Sequence, residues 1–262
     1  MKALLKDFVT TLIQYFIPFF ILFWIFILII TFQCFRMSLS EDIIESALIL
    51  MVPLFGISFV LLYMKFKKID ISFIKKRKVD KSLFDDIVAT LGINIGFSWI
   101  VYLFISLFME IQGNIDIEQV QNNFLFSLIV QGILIPIDEE LFFRGFLPKK
   151  LENHKRISLM IVISLFFGIA HFNLYVSIST LFMSFCMLIL LYKHHSIYPC
   201  IFIHIFNNSL NLLAGYLDSN DINLAFIIMG LFILYGIIYL LRKRNTIFSE
   251  IQDLIFKNST IS

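Results

Sequence analysis

The run VTTLIQYFIPFFILFWIFILIITFQCF, residues 9–35, decides the fold class, because it passes without a single Asp, Glu, Lys or Arg. Crossing the hydrocarbon layer of a bilayer takes about 20 mostly apolar residues, so this run is long enough for one helical span. It far exceeds the roughly 7–15-residue core of a secretory signal, and no small-residue cleavage site follows it. It is therefore expected to remain in the protein as a helix.

Runs of the same kind fill most of the 262-residue chain, at about 44–64, 85–109, 123–146, 158–173, 174–192, 197–217 and 222–241. The fifth of these eight is short, and its border with the sixth is not sharp. Hydrophobic residues make up 59% of the chain, 32 residues are Phe, and mean hydropathy is +0.89. Only 15% are charged, against about 25% in an ordinary soluble domain. These values imply an all-α, polytopic membrane helix bundle of about eight transmembrane helices, read as a single integral membrane domain over residues 1–262. Neither an internal repeat nor a low-complexity segment stands out.

Lys and Arg orient the bundle. Eight crowd the second loop, from Lys65 through KKIDISFIKKRKVDK to Lys81. The rest are Lys2, Lys6, Lys149, Lys150, Lys155, Arg156, Lys193, Arg242, Lys243, Arg244 and Lys257, apart from Arg36 and Arg144. With eight spans and a cytoplasmic N-terminus, all but those last two of the 21 fall on the cytoplasmic side, as the positive-inside bias requires. The N- and C-termini are then both cytoplasmic, and the opposite loops GNIDIEQVQNN and DSNDIN carry no Lys or Arg.

The formal net charge of +2 thus says little about partners. Basic loops beside spans serve topology and attraction to anionic headgroups of the lipid bilayer, and no folded basic surface for nucleic acid is evident. Cys34, Cys186 and Cys200 lie in or beside apolar runs without a CxxC spacing, which suits buried thiols rather than a disulfide frame or zinc site. The load of Ile, Phe, Lys and Asn suggests AT-rich codons, hence a bacterial host and its plasma membrane.

Polar residues break the apolar pattern at three places. IDEELFFRGF, residues 137–146, carries Asp138, Glu139, Glu140 and Arg144. At 1.5 Å per residue, Glu139 lies about 15 Å from Lys149, near mid-depth. A charge there costs roughly 2.5–3.5 kcal/mol on insertion scales and usually marks function. Glu140 and Arg144, four apart, can meet on one helix face and neutralise each other, but that leaves Glu139 without a purpose. In FFGIAHF, Phe167 and His171 have the same spacing, as do His204 and Asn208 in SIYPCIFIHIFNNS. A lone membrane histidine is more often a helix-to-helix hydrogen bond than a ligand. Two histidines, an asparagine and a Glu-Glu-Arg group on three spans are harder to dismiss. His171 fits less neatly, about 22 Å along a helix that starts at Arg156.

These residue types support hydrolysis. A carboxylate in a low-dielectric pocket can serve as a general base near neutral pH. Imidazoles can bind a metal or polarise a carbonyl, and an amide can donate to an oxyanion. HExxH and GxSG are absent from the sequence, which argues against a zincin or a serine protease.

Taken in order, EELFFR (Glu139–Arg144), FGIAH (Phe167–His171) and HIFNN (His204–Asn208) resemble the motifs EExxxR, FxxxH and HxxxN of the CAAX protease and bacteriocin-processing family. That family is also called Abi and includes the Ras-converting CAAX endoprotease. The resemblance covers roughly residues 120–217, and SIYP is a further similar flank. It implies an intramembrane endopeptidase acting on a peptide or membrane-protein substrate. Glu139 would activate water, and Glu140 would hold the site with Arg144 as its ion-pair partner. His171 would bind or orient the water, and His204 with Asn208 would stabilise the oxyanion. Family members have been described both as glutamate-dependent and as metalloproteases. A divalent metal such as zinc, if present, would be held by Glu139, His171 and His204. Phe167 is expected to be a packing residue and Asp138 peripheral. His194 and His195 are expected to be solvated, Asp85 and Asp86 to sit at a helix N-terminus, and Trp24 and Trp99 to pack or face lipid.

Two other classes compete. One is a non-catalytic membrane immunity or scaffold protein, since some relatives act in bacteriocin self-immunity. The other is a proton-coupled transporter using Glu139 as relay, although the inverted repeats and Gly/Pro-broken helices of transporters are not found.

Overall fold

Inside a bilayer every backbone N–H and C=O must find its partner within the protein, which leaves helices or a closed barrel. The computed structural model, which describes residues 1–37, 39–70, 81–108, 123–216 and 222–256, takes the helical solution. Among the described residues there are eight helices and no strand. They are α1 (Lys2–Arg36), α2 (Glu41–Phe66), α3 (Lys81–Phe108), α4 (124–150), α5 (Arg156–Ile169), α6 (Leu174–His194), α7 (Tyr198–Tyr216) and α8 (Ile222–Phe256). Each falls on one of the expected apolar runs, so the all-α membrane bundle stands.

Four helices are long and apolar enough, by length and composition, to cross a membrane: Lys2–Cys34, Glu41–Phe66, Lys81–Leu107 and Leu174–His194. Helix α5 has 14 residues, about 21 Å of rise, and is short of the roughly 30 Å of a hydrocarbon core. Most of the basic second loop and the loops GNIDIEQVQNN and DSNDIN lie outside the described residues.

Helix α4 is continuous but not uniform. Wider π-helical turns at Leu128–Leu134 and Leu141–Phe146 flank the α-helical turn Ile135–Glu140 that carries the acids. Such turns are rare and concentrate at functional sites.

Helices in lipid associate by close packing rather than by a hydrophobic drive, and two devices supply it here. The first is aromatic. Tyr15 of α1 is buried with its ring centroid 5.2 Å from Phe59 and 5.3 Å from Tyr63 of α2, and 4.6 Å from Phe142 and 5.1 Å from Phe146 of α4. The second is glycine at close approach. A β-carbon on Gly168 of α5 would lie 2.6 Å from the Ser177 carbonyl oxygen of α6, and Gly92 of α3 abuts the Phe232 carbonyl of α8.

Several charged residues sit differently from expectation. Helix α3 begins at Lys81, so Asp85 and Asp86 fall beyond its first turn. Asp86 is buried and joins three helices: its Oδ2 lies 2.7 Å from His194 Nε2 and 2.9 Å from Lys193 Nζ, and its Oδ1 accepts from Tyr239. His194 is therefore buried and paired, not solvated. Burying a carboxylate requires partners, and sequence separation hid these from inspection. Arg156 is also buried, stacked 4.6 Å over Tyr192, and buried Lys149 pairs with Asp70 and Glu152. Trp24, by contrast, is well exposed, as a lipid-facing residue would be.

Candidate active site

Successive residues of α4 look in different directions, and the turn at 138–146 divides its side chains among three neighbours. Phe142 and Phe146 rest on Tyr15 of α1. Phe143 packs edge-on to Phe167 of α5 at 4.8 Å. Glu140 and Arg144 face inward, where α5 and α7 meet them.

The centre of the site is Glu140 Oε1. It accepts from Arg144 Nη1 at 2.9 Å and lies 2.8 Å from His204 Nδ1. The Glu140 and Arg144 side chains are both 0% exposed. Taking such a pair out of solvent costs several kcal/mol per ion unless partners make up the loss. Part of the compensation is Phe167, whose ring lies 4.5 Å below the Arg144 guanidinium. The compensation is incomplete, since Glu140 Oε2 and Arg144 Nε and Nη2 are buried and make no hydrogen bond to the described residues.

This pairing sets the tautomer of His204. With Arg144 holding Glu140 as the carboxylate, its oxygen accepts from His204 Nδ1–H, and the neutral ring carries its lone pair on Nε2. That nitrogen lies 3.5 Å from Glu139 Oε2. The Glu139 side chain is 30% exposed whereas Glu140 is sealed, so of the two glutamates only Glu139 can meet a reactant.

His171 is held by a different element. Helix α5 stops at Ile169, two residues before it, so the Phe167–His171 relation is made by a turn and not by one helix face. Its backbone N–H donates to the Gly168 carbonyl at 3.1 Å, and its ring Nδ1 lies 2.8 Å from the Phe167 carbonyl oxygen. As the proton donor in that bond, Nδ1 leaves Nε2 as the free nitrogen. The turn is completed by Phe172 at φ 53°, followed by Asn173, whose side chain caps α6 by accepting from Val176 N–H at 3.1 Å. A bulky residue in the left-handed region costs on the order of 1–2 kcal/mol. That strain sits one residue from a candidate catalytic histidine.

Asn208 lies one turn beyond His204 on α7. Its Nδ2 donates to the Gln131 carbonyl at 3.2 Å. That carbonyl belongs to the first π turn of α4, so the irregular backbone has a defined use. The second N–H of the amide remains available to a ligand.

Phe167 is the packing residue expected, and it is central. Fully buried, it touches Arg144, His171 at 5.0 Å and His204 at 5.8 Å between ring centroids. Asp138 turns away from this group. Its carboxylate occupies the space that a β-carbon on Gly56 of α2 would take, with Cγ 2.6 Å from that position.

The structure therefore brings Glu139, Glu140, Arg144 and His204 into one contact group, with His171 joined to it through Phe167 and Asn208 on the same face of α7. Among the described residues no group of three or more His, Cys, Asp or Glu side chains could hold a metal ion. His171 Nδ1 is engaged by a carbonyl and His204 Nδ1 by Glu140, which leaves Nε2 as the outward nitrogen of each ring. The Gln131 carbonyl and Gly56 escaped the sequence reading. A main-chain acceptor has no sequence signal, and a glycine in a membrane helix has many explanations.

Fold and site together define a multi-pass membrane protein with a half-open carboxylate beside a buried Arg–Glu–His group. Residues 121–210 match the family described as Type II CAAX prenyl endopeptidase Rce1-like, so over that segment the chain is similar to the CAAX endopeptidases. The match spans all three motifs and bears out the family resemblance read from them. No curated protein sequence and no solved structure matches the chain.

Proposed function

We propose that the protein is an intramembrane endopeptidase in which Glu139 activates a water molecule. The observation that carries this reading is the asymmetry of the two glutamates: Glu140 is spent on Arg144 and His204, while Glu139 is 30% open and lies 3.5 Å from His204 Nε2.

Glu139 takes a proton from the water as its oxygen attacks the peptide carbonyl carbon. The C–O bond forms and the carbonyl π electrons move to oxygen. His171, locked by the Phe167 carbonyl, orients the water through Nε2. The free N–H of Asn208 donates to the developing oxyanion. As the C–N bond breaks, the amine leaves with the proton that Glu139 holds. Glu140 and Arg144 stay outside the chemistry and fix the ring of His204, as a carboxylate behind an imidazole does in other hydrolytic sites.

The substrate we favour is a peptide or membrane-protein segment reaching the bilayer interior, in a bacterial plasma membrane. Secreted peptides, bacteriocin leaders and quorum-signal precursors fit better than a prenylated chain, a modification most bacteria lack. Self-immunity by proteolysis belongs to the same reading.

The test is purified protein in detergent against a peptide library, with Glu139→Ala as comparison. Cleavage by the wild-type protein and none by a variant that still inserts and melts normally is expected. Equal cleavage by both would remove Glu139 from the mechanism. If Glu139→Ala performs the cellular role while lacking peptidase activity, a non-catalytic immunity role replaces this one.

A further inference from the structure

The contact between Asp138 and Gly56 assigns Asp138 a use that the site does not otherwise give it. Gly56 is buried in the middle of α2, three residues after Pro53. The Asp138 carboxylate fills the space where any larger residue would begin its side chain: Cγ would lie 2.6 Å from an added β-carbon, closer than real β-carbons approach any heavy atom. Asp138 is next in sequence to Glu139, in the α-helical turn between the two π segments. Below it, Phe142 and Phe146 continue the same side of α4 onto Tyr15, Tyr63 and the α1–α2 pair. Helices α1 and α2 lie outside the segment that matches the endopeptidase family.

We infer that Asp138 is a positioning residue: seated in the notch left by Gly56, its carboxylate sets the rotation of the α4 turn that points Glu139 at His204. The physical reason is leverage. In a continuous helix the direction of residue 139 cannot change without that of residue 138. The turn is held on its other sides by Glu140 on His204 and by Phe142 and Phe146 on Tyr15, and the contact at its first acid completes the set that decides where its second acid points. Packed interiors respond to added volume by shifting side chains and backbone rather than by compressing. A methyl on Gly56 meets only the end of the Asp138 side chain, so it moves Glu139 out of register with α7 where that carboxylate has no room to turn aside, and cross-linking reads which of the two happens. The notch recognises volume, so a side chain of the same shape, such as asparagine, serves equally well.

The inference rests on the endopeptidase reading for its catalytic consequence, but not for its geometry, and the experiment separates the two. The variants are Gly56→Ala, Asp138→Asn, Asp138→Ala and the double variant Gly56→Ala/Asp138→Ala. Melting temperature in detergent reads the contact. The placement of residue 139 is read without catalysis in a background with the three native cysteines replaced by alanine. There, Glu139→Cys and His204→Cys are joined by a short bifunctional thiol reagent. A quenched-fluorescent peptide taken from the library cut by the wild-type protein gives kcat and KM.

Gly56→Ala should lower the melting temperature by several degrees and reduce cross-linking. It should also lower kcat about 10–100-fold, the size of effect expected from a misplacement near 1 Å, with KM within about twofold. The double variant, in which the new methyl fills the space the carboxylate leaves, should recover cross-linking and kcat at least tenfold from the Gly56→Ala level, and Asp138→Asn should match wild type. If Gly56→Ala fails to insert, insertion and cross-linking of the double variant carry the test. Wild-type cross-linking in Gly56→Ala, or a double variant as impaired as the single, overturns the inference. So does a fall in melting temperature with no change in cross-linking. Should cross-linking behave as expected while Glu139→Ala still cuts the peptide, the endopeptidase reading fails and the positioning contact stands.

Discussion

Arg144→Met is the most informative single change at this site. It keeps the length and most of the volume of the side chain and removes the charge. Glu140, 0% exposed, would keep His204 Nδ1 as a partner and lose the guanidinium 2.9 Å away. Breaking a buried ion pair from one side costs about 3–5 kcal/mol, because an uncompensated charge stays behind. Loss of the guanidinium from the Phe167 face at 4.5 Å adds about 0.5–2 kcal/mol. At roughly 2–4 °C per kcal/mol for a chain of this size class, the melting temperature should fall by on the order of 10 °C. The second half of the experiment is Glu140→Gln/Arg144→Met, which removes both charges. Three unpaired polar atoms of Glu140 and Arg144 are already tolerated at the pair's edges, so the double variant should recover most of the lost stability. Cleavage should not return, since a neutral amide no longer fixes the proton of His204 on Nδ1. Thermal melts in detergent and peptide cleavage on the same samples make the measurement. A fall below about 1 kcal/mol for Arg144→Met, or a double variant as unstable as the single, would refute the view that the pair is electrostatically interdependent.

Further outcomes follow from the same geometry. Asn208→Ala should lower kcat by about 10²–10³-fold, the range for one oxyanion donor, and should loosen α7 from the π turn at Gln131, read as faster hydrogen exchange at 128–134. Asp86→Ala should destabilise by about 3–5 kcal/mol, since it removes the buried carboxylate that Lys193 and His194 share; peptide cleavage below the melting temperature should be retained, as the contact lies on α3, α6 and α8. A chelator titration should leave cleavage unchanged, because among the described residues no three His, Cys, Asp or Glu side chains group as metal ligands; loss restored by zinc would assign Glu139, His171 and His204 as its ligands.

The amino-acid sequence by itself determined the class of the fold. Apolar runs near 20 residues admit few structures in lipid, and all eight helices fall on them. It also determined which residues would gather, since a charge or imidazole in an apolar helix is too costly to lack a partner. Glu140 and Arg144 could be paired from spacing alone, because an interval of four is a local property of one helix. The tertiary structure decided what depends on distant segments. It gave His204 its tautomer through Glu140, sequence separation 64, and made Glu139 rather than Glu140 the open acid. It buried His194 against Asp86, 108 residues away, where the sequence suggested a solvated loop. It turned Asp138 toward a glycine on α2. Spacing along a helix encodes which side chains are neighbours on that helix, but rotation and contact between helices are set by packing, and a main-chain carbonyl or an absent β-carbon leaves no letter to read.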